Sequence, residues 1–277
     1  MIDVSASTIA IDDPDDPRIA GYRSIRERDL RGRDGLFIAE GTVVLDALLR
    51  SRGFSPVSVL VLANRIDGIA RLLSSVPADV PVYRAEGPVM DAIAGFPMHR
   101  GVLALARRTR VHGPETLLAR ACEAASSSGR PARALVGIGL ANHDNVGSLL
   151  RCAAAFDARP VLFDAGSADP LYRKAIRTSA GAALTHPHHR GGSADALLDA
   201  VEGAGLVPLA LSPAGAEDVR DIARGEPIAL IVGAEGPGLP DAVLGRVRTA
   251  RIAMAPGHDS LNVAVAAAVA LHALQPR

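Results

Sequence analysis

The stretch APGHDSLNVAVAAAVALHAL, from Ala255 to Leu274, places a polar segment directly before a helix that has no polar face. A helix that is apolar on all sides is normally buried on all sides. At 1.5 Å per residue, the expected helix from Leu261 to Leu274 is only about 21 Å long, which is too short to cross a bilayer. We therefore predict that this helix lies in a core or a subunit interface. Ser260 can cap its start and Asn262 lies in its first turn, so this end is expected to open into a site.

The composition is that of a globular protein from a reducing compartment. The 277 residues are 48% apolar and 22% charged, with 30 basic and 30 acidic residues, so a general polycation is excluded but a local basic patch is not. Cys122 and Cys152 form no disulfide framework, and the acidic N-terminus is unlike a signal peptide. No apolar run reaches the roughly 20 residues of a membrane span. We expect a cytoplasmic protein with no membrane segment.

Apolar runs alternate with helical stretches, which predicts two α/β domains. In the second half the runs lack polar alternation, which is typical of strands buried on both faces of a mostly parallel sheet, with helices on both faces. The expected organisation is a loose arm over 1–17, a smaller α/β domain over 18–106, a linker over 107–114 and a larger domain over 115–277. The strands expected in the larger domain are Leu135–Ile138, Val161–Phe163, Leu206–Leu211, Ile228–Val232 and Arg251–Ala253.

Three loops follow such strands, at the sheet edge where ligands of parallel sheets bind. One of them is the polar segment before the apolar helix described above. In GLANHDNVGSLLRCAAAF, Asn142, Asp144 and Asn145 are candidates to cap the helix that follows, and Arg151 lies on that helix; a plain surface arginine is the alternative. In IVGAEGPGLPDAVL, the glycines that begin with Gly233 allow a backbone to approach a ligand closely. The run Gly137–Asn142, with Asp164 nearby, matches part of a dinucleotide-binding fingerprint, although Asn142 replaces its third glycine. A nicotinamide-dependent dehydrogenase therefore remains an alternative function.

Together these loops resemble the SpoU/TrmH family of SPOUT RNA methyltransferases over roughly residues 132–275. Asn145, Gly147 and Arg151 look like N-x-G-x-x-x-R; the run from Gly233 to Leu239 looks like G-N-E-G-x-G-L; and the run from Ile252 to Val263 looks like the third motif, which ends in S-L-N-V. RTSAGAAL, at 177–184, is similar to a further family segment. Ala234 and Ala253 stand where the family usually has Asn and Pro.

The resemblance implies S-adenosyl-L-methionine as cofactor, a deep trefoil knot in the larger domain, an obligate homodimer and RNA binding by the smaller domain. It places Leu211, Gly233, Ile252, Met254 and Leu261 around the cofactor. The catalytic set that it implies is Asn145, Arg151, Glu235, Ser260 and Asn262. The candidate RNA-binding residues, from an arginine-rich start of the smaller domain, are Arg23, Arg31 and Arg33.

Simple chemistry limits the role of Arg151. A guanidinium with a pKa above about 12 is a poor base, so we expect it to clamp a flanking phosphate and stabilise a developing alkoxide. No metal is expected, because the histidines of THPHHR have no partner at ligand spacing, and we interpret that stretch as a polar turn.

Three hypotheses follow. The first is a methyltransferase that acts on a ribose 2′-hydroxyl of rRNA or tRNA. The second is a catalytically inactive RNA-binding protein of the same fold. The third is the dehydrogenase.

Overall fold

The computed structural model describes residues 8–23, 35–95, 98, 100–258 and 260–276, and it separates them into two compact units. The first unit contains the described residues up to Val111 together with Leu171–Thr185. The second contains His112–Pro170 and the described residues from His186 onward. The segment Leu171–Thr185, which the sequence assigned to the larger domain, thus groups with the smaller one.

The described residues form twelve strands and ten α-helices. The strands are β1 (Ile9–Ile11), β2 (Leu36–Glu40), β3 (Phe54–Leu62), β4 (Val82–Ala85), β5 (Val102–Arg108), β6 (Arg133–Gly137), β7 (Val161–Phe163), β8 (His188–Arg190), β9 (Val207–Leu211), β10 (Glu217–Asp218), β11 (Ile228–Val232) and β12 (Arg248–Arg251). The helices are α1 (Thr42–Arg50), α2 (Ala70–Leu73), α3 (Gly87–Ala94), α4 (Pro114–Ser128), α5 (His143–Ala155), α6 (Arg173–Thr178), α7 (Ala182–Thr185), α8 (Ala194–Gly203), α9 (Asp241–Leu244) and α10 (Val263–Ala273).

The first unit contains a mixed five-stranded sheet in the order β1-β4-β3-β5-β2. The pairs β1–β4 and β4–β3 are parallel, whereas β5 runs antiparallel to both β3 and β2. Ile19 and Tyr22, from a short 3₁₀ helix, are fully buried against this sheet. The Tyr22 hydroxyl shares a hydrogen bond of 2.7 Å with Ser58 Oγ, so the polar end of this core residue is satisfied.

The second unit contains a seven-stranded sheet in the order β10-β12-β9-β11-β6-β7-β8, in which every pair is parallel. Every residue of the central strands β6 and β11 is buried, as expected for strands covered on both faces. The prediction of an α/β fold with a mostly parallel C-terminal sheet is confirmed.

Two segments differ from the sequence expectations. Ile9–Ile11 pair in parallel with β4, and Ile11 is buried, so the loose arm expected over 1–17 does not extend to these residues. His188–Arg190 form edge strand β8 rather than a polar turn. In both cases a very short segment becomes a strand because a neighbouring strand of the sheet supplies the hydrogen-bonding edge, which local sequence does not reveal.

Within the described residues, no helix is long and apolar enough to cross a membrane. The same residues contain no group of three or more His, Cys, Asp or Glu placed to hold a metal ion.

Candidate active site

A cavity of about 640 Å³ lies where three neighbouring strands of the parallel sheet end. Leu211 is the last residue of β9, Gly233 directly follows β11, and Ile252 directly follows β12, so three carboxyl ends meet at one edge. The start of α10 closes the same cavity. All five residues that the sequence placed around a cofactor line it, namely Leu211, Gly233, Ile252, Met254 and Leu261.

The glycine-rich loop after β11 folds back on itself in a tight turn. The amide of Gly238 donates a hydrogen bond of 3.0 Å to the Ala234 carbonyl, and both Gly236 and Gly238 have positive φ angles. A Cβ atom on Gly233 would lie 2.5 Å from the Gly238 carbonyl carbon and 2.6 Å from the Leu239 nitrogen. Only glycine fits at position 233, because any side chain would collide with the backbone of the same loop.

Helix α10 is capped by Asn262, which corrects the expectation that Ser260 supplies the cap. Asn262 Oδ1 accepts hydrogen bonds from the backbone amides of Ala264 (3.0 Å) and Val265 (3.4 Å). Ser260 lies two residues earlier and lines the cavity. The amide oxygen of Asn262 therefore satisfies the free end of the helix, and its Nδ2 group is left for other acceptors.

Asn262 Nδ2 joins the three motifs through two acceptors. It donates to Asn145 Oδ1 of α5 at 3.0 Å and to Glu235 Oε1 of the glycine-rich loop at 2.7 Å. Asn145 is buried, so its side chain provides a fixed point on α5. Four of the five predicted catalytic residues, Asn145, Glu235, Ser260 and Asn262, thus belong to this bonded group or to the cavity lining.

Arg151 is not part of this bonded group. It lies two turns beyond Asn145 on α5, is exposed, and does not line the cavity. Among the described residues, its guanidinium has no hydrogen bond or ion-pair partner, so its charge is available to an external anion. Burial raises the pKa of the neighbouring Cys152 thiol, and the charge of Arg151 opposes that shift.

Two charged side chains among the described residues line the cavity, Glu235 and Asp241, and both are acidic. An acidic lining favours a cationic ligand, because opposite charges attract more strongly in a partly enclosed site than in open water. Asp241, with Ser212 and Pro213, was missed by the sequence reasoning. The position of Asp241, two residues after the glycine-rich motif and at the first residue of α9, is the signal that would have identified it.

The candidate RNA-binding arginines are not assembled into a site by the described residues. Arg23 already bonds within the first unit, where its Nη1 atom lies 2.6 Å from Asp15 Oδ1. Arg31 and Arg33 lie outside the described residues.

The structure does not favour the dehydrogenase. Asp164 Oδ1 accepts hydrogen bonds from the amides of Gly139 and Ser167 and from the Ser167 hydroxyl, so this oxygen is engaged within the chain. The histidine-rich stretch is equally structural, because His186, His188 and His189 each bond to a backbone carbonyl.

Comparison with known proteins identifies the class. Residues 133–272 match the SpoU rRNA Methylase family. An uncharacterized tRNA/rRNA methyltransferase of Mycobacterium bovis is 40% identical over 271 residues, covering 94% of this chain and 89% of that protein. The chain belongs to the SpoU rRNA methylase family.

Solved structures agree with this assignment. An AdoMet-bound rRNA methyltransferase from Sinorhizobium meliloti has the same fold, with a TM-score of 0.79 at 21% identity over 97% of each chain. An RNA 2′-O ribose methyltransferase gives a TM-score of 0.76 at 26% identity, covering 96% of this chain and 98% of that one. The predicted resemblance and enzyme class, an RNA methyltransferase, are confirmed, whereas the roles assigned to single residues stay predictions.

Proposed function

We propose that this protein transfers a methyl group from S-adenosyl-L-methionine to a ribose 2′-hydroxyl of rRNA or tRNA. The observation that carries the proposal is the cavity at three adjacent strand ends, lined by the glycine-rich loop and bordered by the bonded group Asn145–Asn262–Glu235. Similarity to a tRNA/rRNA methyltransferase and to an RNA 2′-O ribose methyltransferase supports the same reaction and the same substrate class.

The cavity fits the proposed cofactor in size and character. Its volume of about 640 Å³ lies within the range of roughly 300–1,000 Å³ that is usual for small-molecule sites. Leu211, Ile252 and Leu261 offer apolar surface, and the backbone of the glycine-rich loop offers hydrogen-bonding groups. When bound, S-adenosylmethionine supplies a methyl group on a cationic sulfur, and the acidic lining suits that charge.

We expect one residue of the protein to maintain the shape of the cavity and another to act on the RNA. Asn262 holds the glycine-rich loop, α5 and α10 in register through its four hydrogen-bonded partners, so that the cavity keeps one shape. Arg151 is the group we expect to hold the phosphate beside the target ribose and to stabilise the alkoxide as the hydroxyl loses its proton. Because a guanidinium does not accept that proton at neutral pH, the proton leaves to solvent or to an RNA oxygen.

The direct test combines cofactor binding with methyl transfer. We expect calorimetry to detect binding of S-adenosylmethionine and of its demethylated product, and we expect tritiated methyl groups to enter unmodified rRNA or tRNA at ribose 2′-oxygens. Cofactor binding without transfer to any rRNA or tRNA would favour the inactive RNA-binding protein of the same fold. Absence of a calorimetric signal and of a thermal shift at millimolar cofactor would contradict the proposal.

We also propose a homodimer that buries one face of α10. Leu261, Val265 and Val269, spaced four residues apart on one side, are 42%, 50% and 40% exposed. We call these three residues the apolar face. Exposed apolar surface of this kind is typical of an interface, and a second copy can bury the same face symmetrically.

Substitution of Val265 should test the dimer. Val265→Asp places a carboxylate in the middle of the apolar face, so we expect light scattering at micromolar concentration to show monomers instead of dimers. Val111→Asp is the matched control, because Val111 is 69% exposed and lies outside this face. A wild-type protein that is a stable, folded monomer would overturn the dimer.

Two further expectations accompany the proposed function. The deep trefoil knot and the cytoplasmic location stay predictions. The proposed RNA substrate and the two free cysteines, Cys122 and Cys152, support the location.

A further inference from the structure

A second cavity, of about 520 Å³, lies wholly within the first unit. It opens where β2 ends and α1 begins, and three arginines line it. Arg65 ends a 3₁₀ helix after β3, Arg100 precedes β5, and Arg177 lies on α6. We call it the arginine cavity. Three separate parts of the chain thus bring positive charge to one place.

The charges of Arg100 and Arg177 are not neutralised by the described residues that line the arginine cavity. Among the described residues, one acidic residue lines this cavity. It is Glu40, which is buried and lies 3.5 Å from Nη1 of Arg173, an arginine outside the lining. The side chains of Arg100 and Arg177 form no hydrogen bond or ion pair with any described residue, and both are exposed. The cavity is therefore suited to an anion supplied from outside.

The start of α1 adds to this electrostatic character. Gly41 precedes the helix, no side chain caps it, and its first turn contains no acidic residue. The positive end of the helix dipole thus faces the same cavity as the arginines. Val43, which is 62% exposed, and Ile69 add aliphatic surface beside these charges.

We propose that the arginine cavity binds the phosphodiester backbone of the RNA substrate, with one nucleotide seated against Val43 and Ile69. The proposal rests on the proposed function, since it concerns the RNA on which the active site acts. Guanidinium groups bind phosphate through two parallel hydrogen bonds. The arginines are exposed, whereas a site for a free nucleotide would enclose most of its ligand. A polyanion that passes across the surface therefore fits better than a small molecule.

The first experiment removes two of the arginines. Arg100→Gln/Arg177→Gln should lower the affinity for in vitro transcribed, unmodified rRNA at least tenfold in filter binding. Because each lost phosphate contact reduces the number of released counterions, the slope of log affinity against log salt should fall by about 1–2. The matched control is Arg71→Gln/Arg84→Gln, two exposed arginines of the same unit outside the cavity, and it should bind nearly as the wild type does.

The second experiment adds a negative charge without harming the helix. Val43→Asp places a carboxylate in the first turn of α1, where the helix dipole stabilises it, so the melting temperature should be unchanged or higher. RNA affinity should nevertheless fall several-fold relative to Val43→Asn, which has nearly the same shape and no charge. A drop in melting temperature together with the loss of RNA binding would assign a merely structural role to this turn and overturn the proposal.

Further measurements separate the proposal from its alternatives. Cofactor affinity by calorimetry should be the same in all of these variants as in the wild type. Tight binding of inorganic phosphate or nucleoside monophosphates that requires Arg100 and Arg177 would identify a small-molecule site and overturn the RNA assignment. If the wild type binds and methylates RNA but the double variant equals its control, the arginine cavity proposal is wrong and the proposed function stands. If the wild type neither binds nor methylates rRNA or tRNA, the proposed function itself fails.

Discussion

Replacement of Gly233 by valine should lower the affinity for S-adenosylmethionine by well over tenfold, while the second unit stays folded. The Cβ atom would lie 2.5 Å from the backbone of Gly238, far inside the separation of about 3.5–4.0 Å that carbon atoms prefer. The turn from Ala234 to Gly238 must then open, and its backbone moves away from the cavity. The sequence alone suggested a different reason, namely that a side chain would fill the space for the ligand. The structure places the conflict inside the loop.

A graded series tests this account. Gly233→Ala already carries the offending Cβ, so most of the loss should appear with alanine, and valine should add little. If the side chain acted by filling ligand space, alanine would be nearly harmless and valine severe. Gly225→Val is the control, because Gly225 has open space around it and no positive φ angle. Calorimetric titration gives the affinities, and a thermal melt shows that each variant is folded. Normal cofactor affinity in Gly233→Val would refute the placement of the cofactor in this cavity.

The buried strands were the most predictable part of the fold. Ile228–Val232 and Val161–Phe163 coincide with the strands expected from the sequence, because an apolar run without polar alternation has few alternatives to a strand buried on both faces. The grouping of Leu171–Thr185 with the first unit was not predictable in the same way. The local pattern of apolar residues indicates which residues are buried, but it does not indicate which part of the chain packs against them.

The candidate active site was also predictable only in part from the sequence. Linear motifs identified residues that line the cavity, since loops at the carboxyl ends of parallel strands are where such sheets bind ligands. The contact between Asn262 and Asn145 joins positions 117 residues apart, and that between Asn262 and Glu235 joins positions 27 apart, so neither pairing could be read from the motifs. The arginine cavity was missed for a related reason. Arg65, Arg100 and Arg177 are scattered in sequence, whereas the arginine-rich start of the domain drew attention to Arg23, whose guanidinium bonds to Asp15.

Arg151→Ala should reduce methyl transfer roughly a hundredfold or more while cofactor affinity stays nearly unchanged. A loss of about 3 kcal/mol of transition-state stabilisation corresponds to that factor. The expected separation follows from the position of the residue, since Arg151 is exposed, bonds to no described residue and does not line the cofactor cavity. Arg151→Lys should recover little, because a single ammonium does not reproduce the two-pronged contact of a guanidinium with a phosphate.

Single-turnover transfer of tritiated methyl groups to RNA, with calorimetry of the cofactor, distinguishes this role from two others. A variant that loses cofactor binding as well as transfer would indicate that Arg151 shapes the cavity. A variant whose transfer rate recovers fully at saturating RNA would indicate that it contributes only to RNA affinity. Arg130→Ala is the matched control, because it removes an exposed arginine of the same unit outside the cofactor cavity and should leave the rate intact. Near-normal turnover in Arg151→Ala would make Arg151 a bystander, and the alkoxide-stabilising role would have to be assigned to another group.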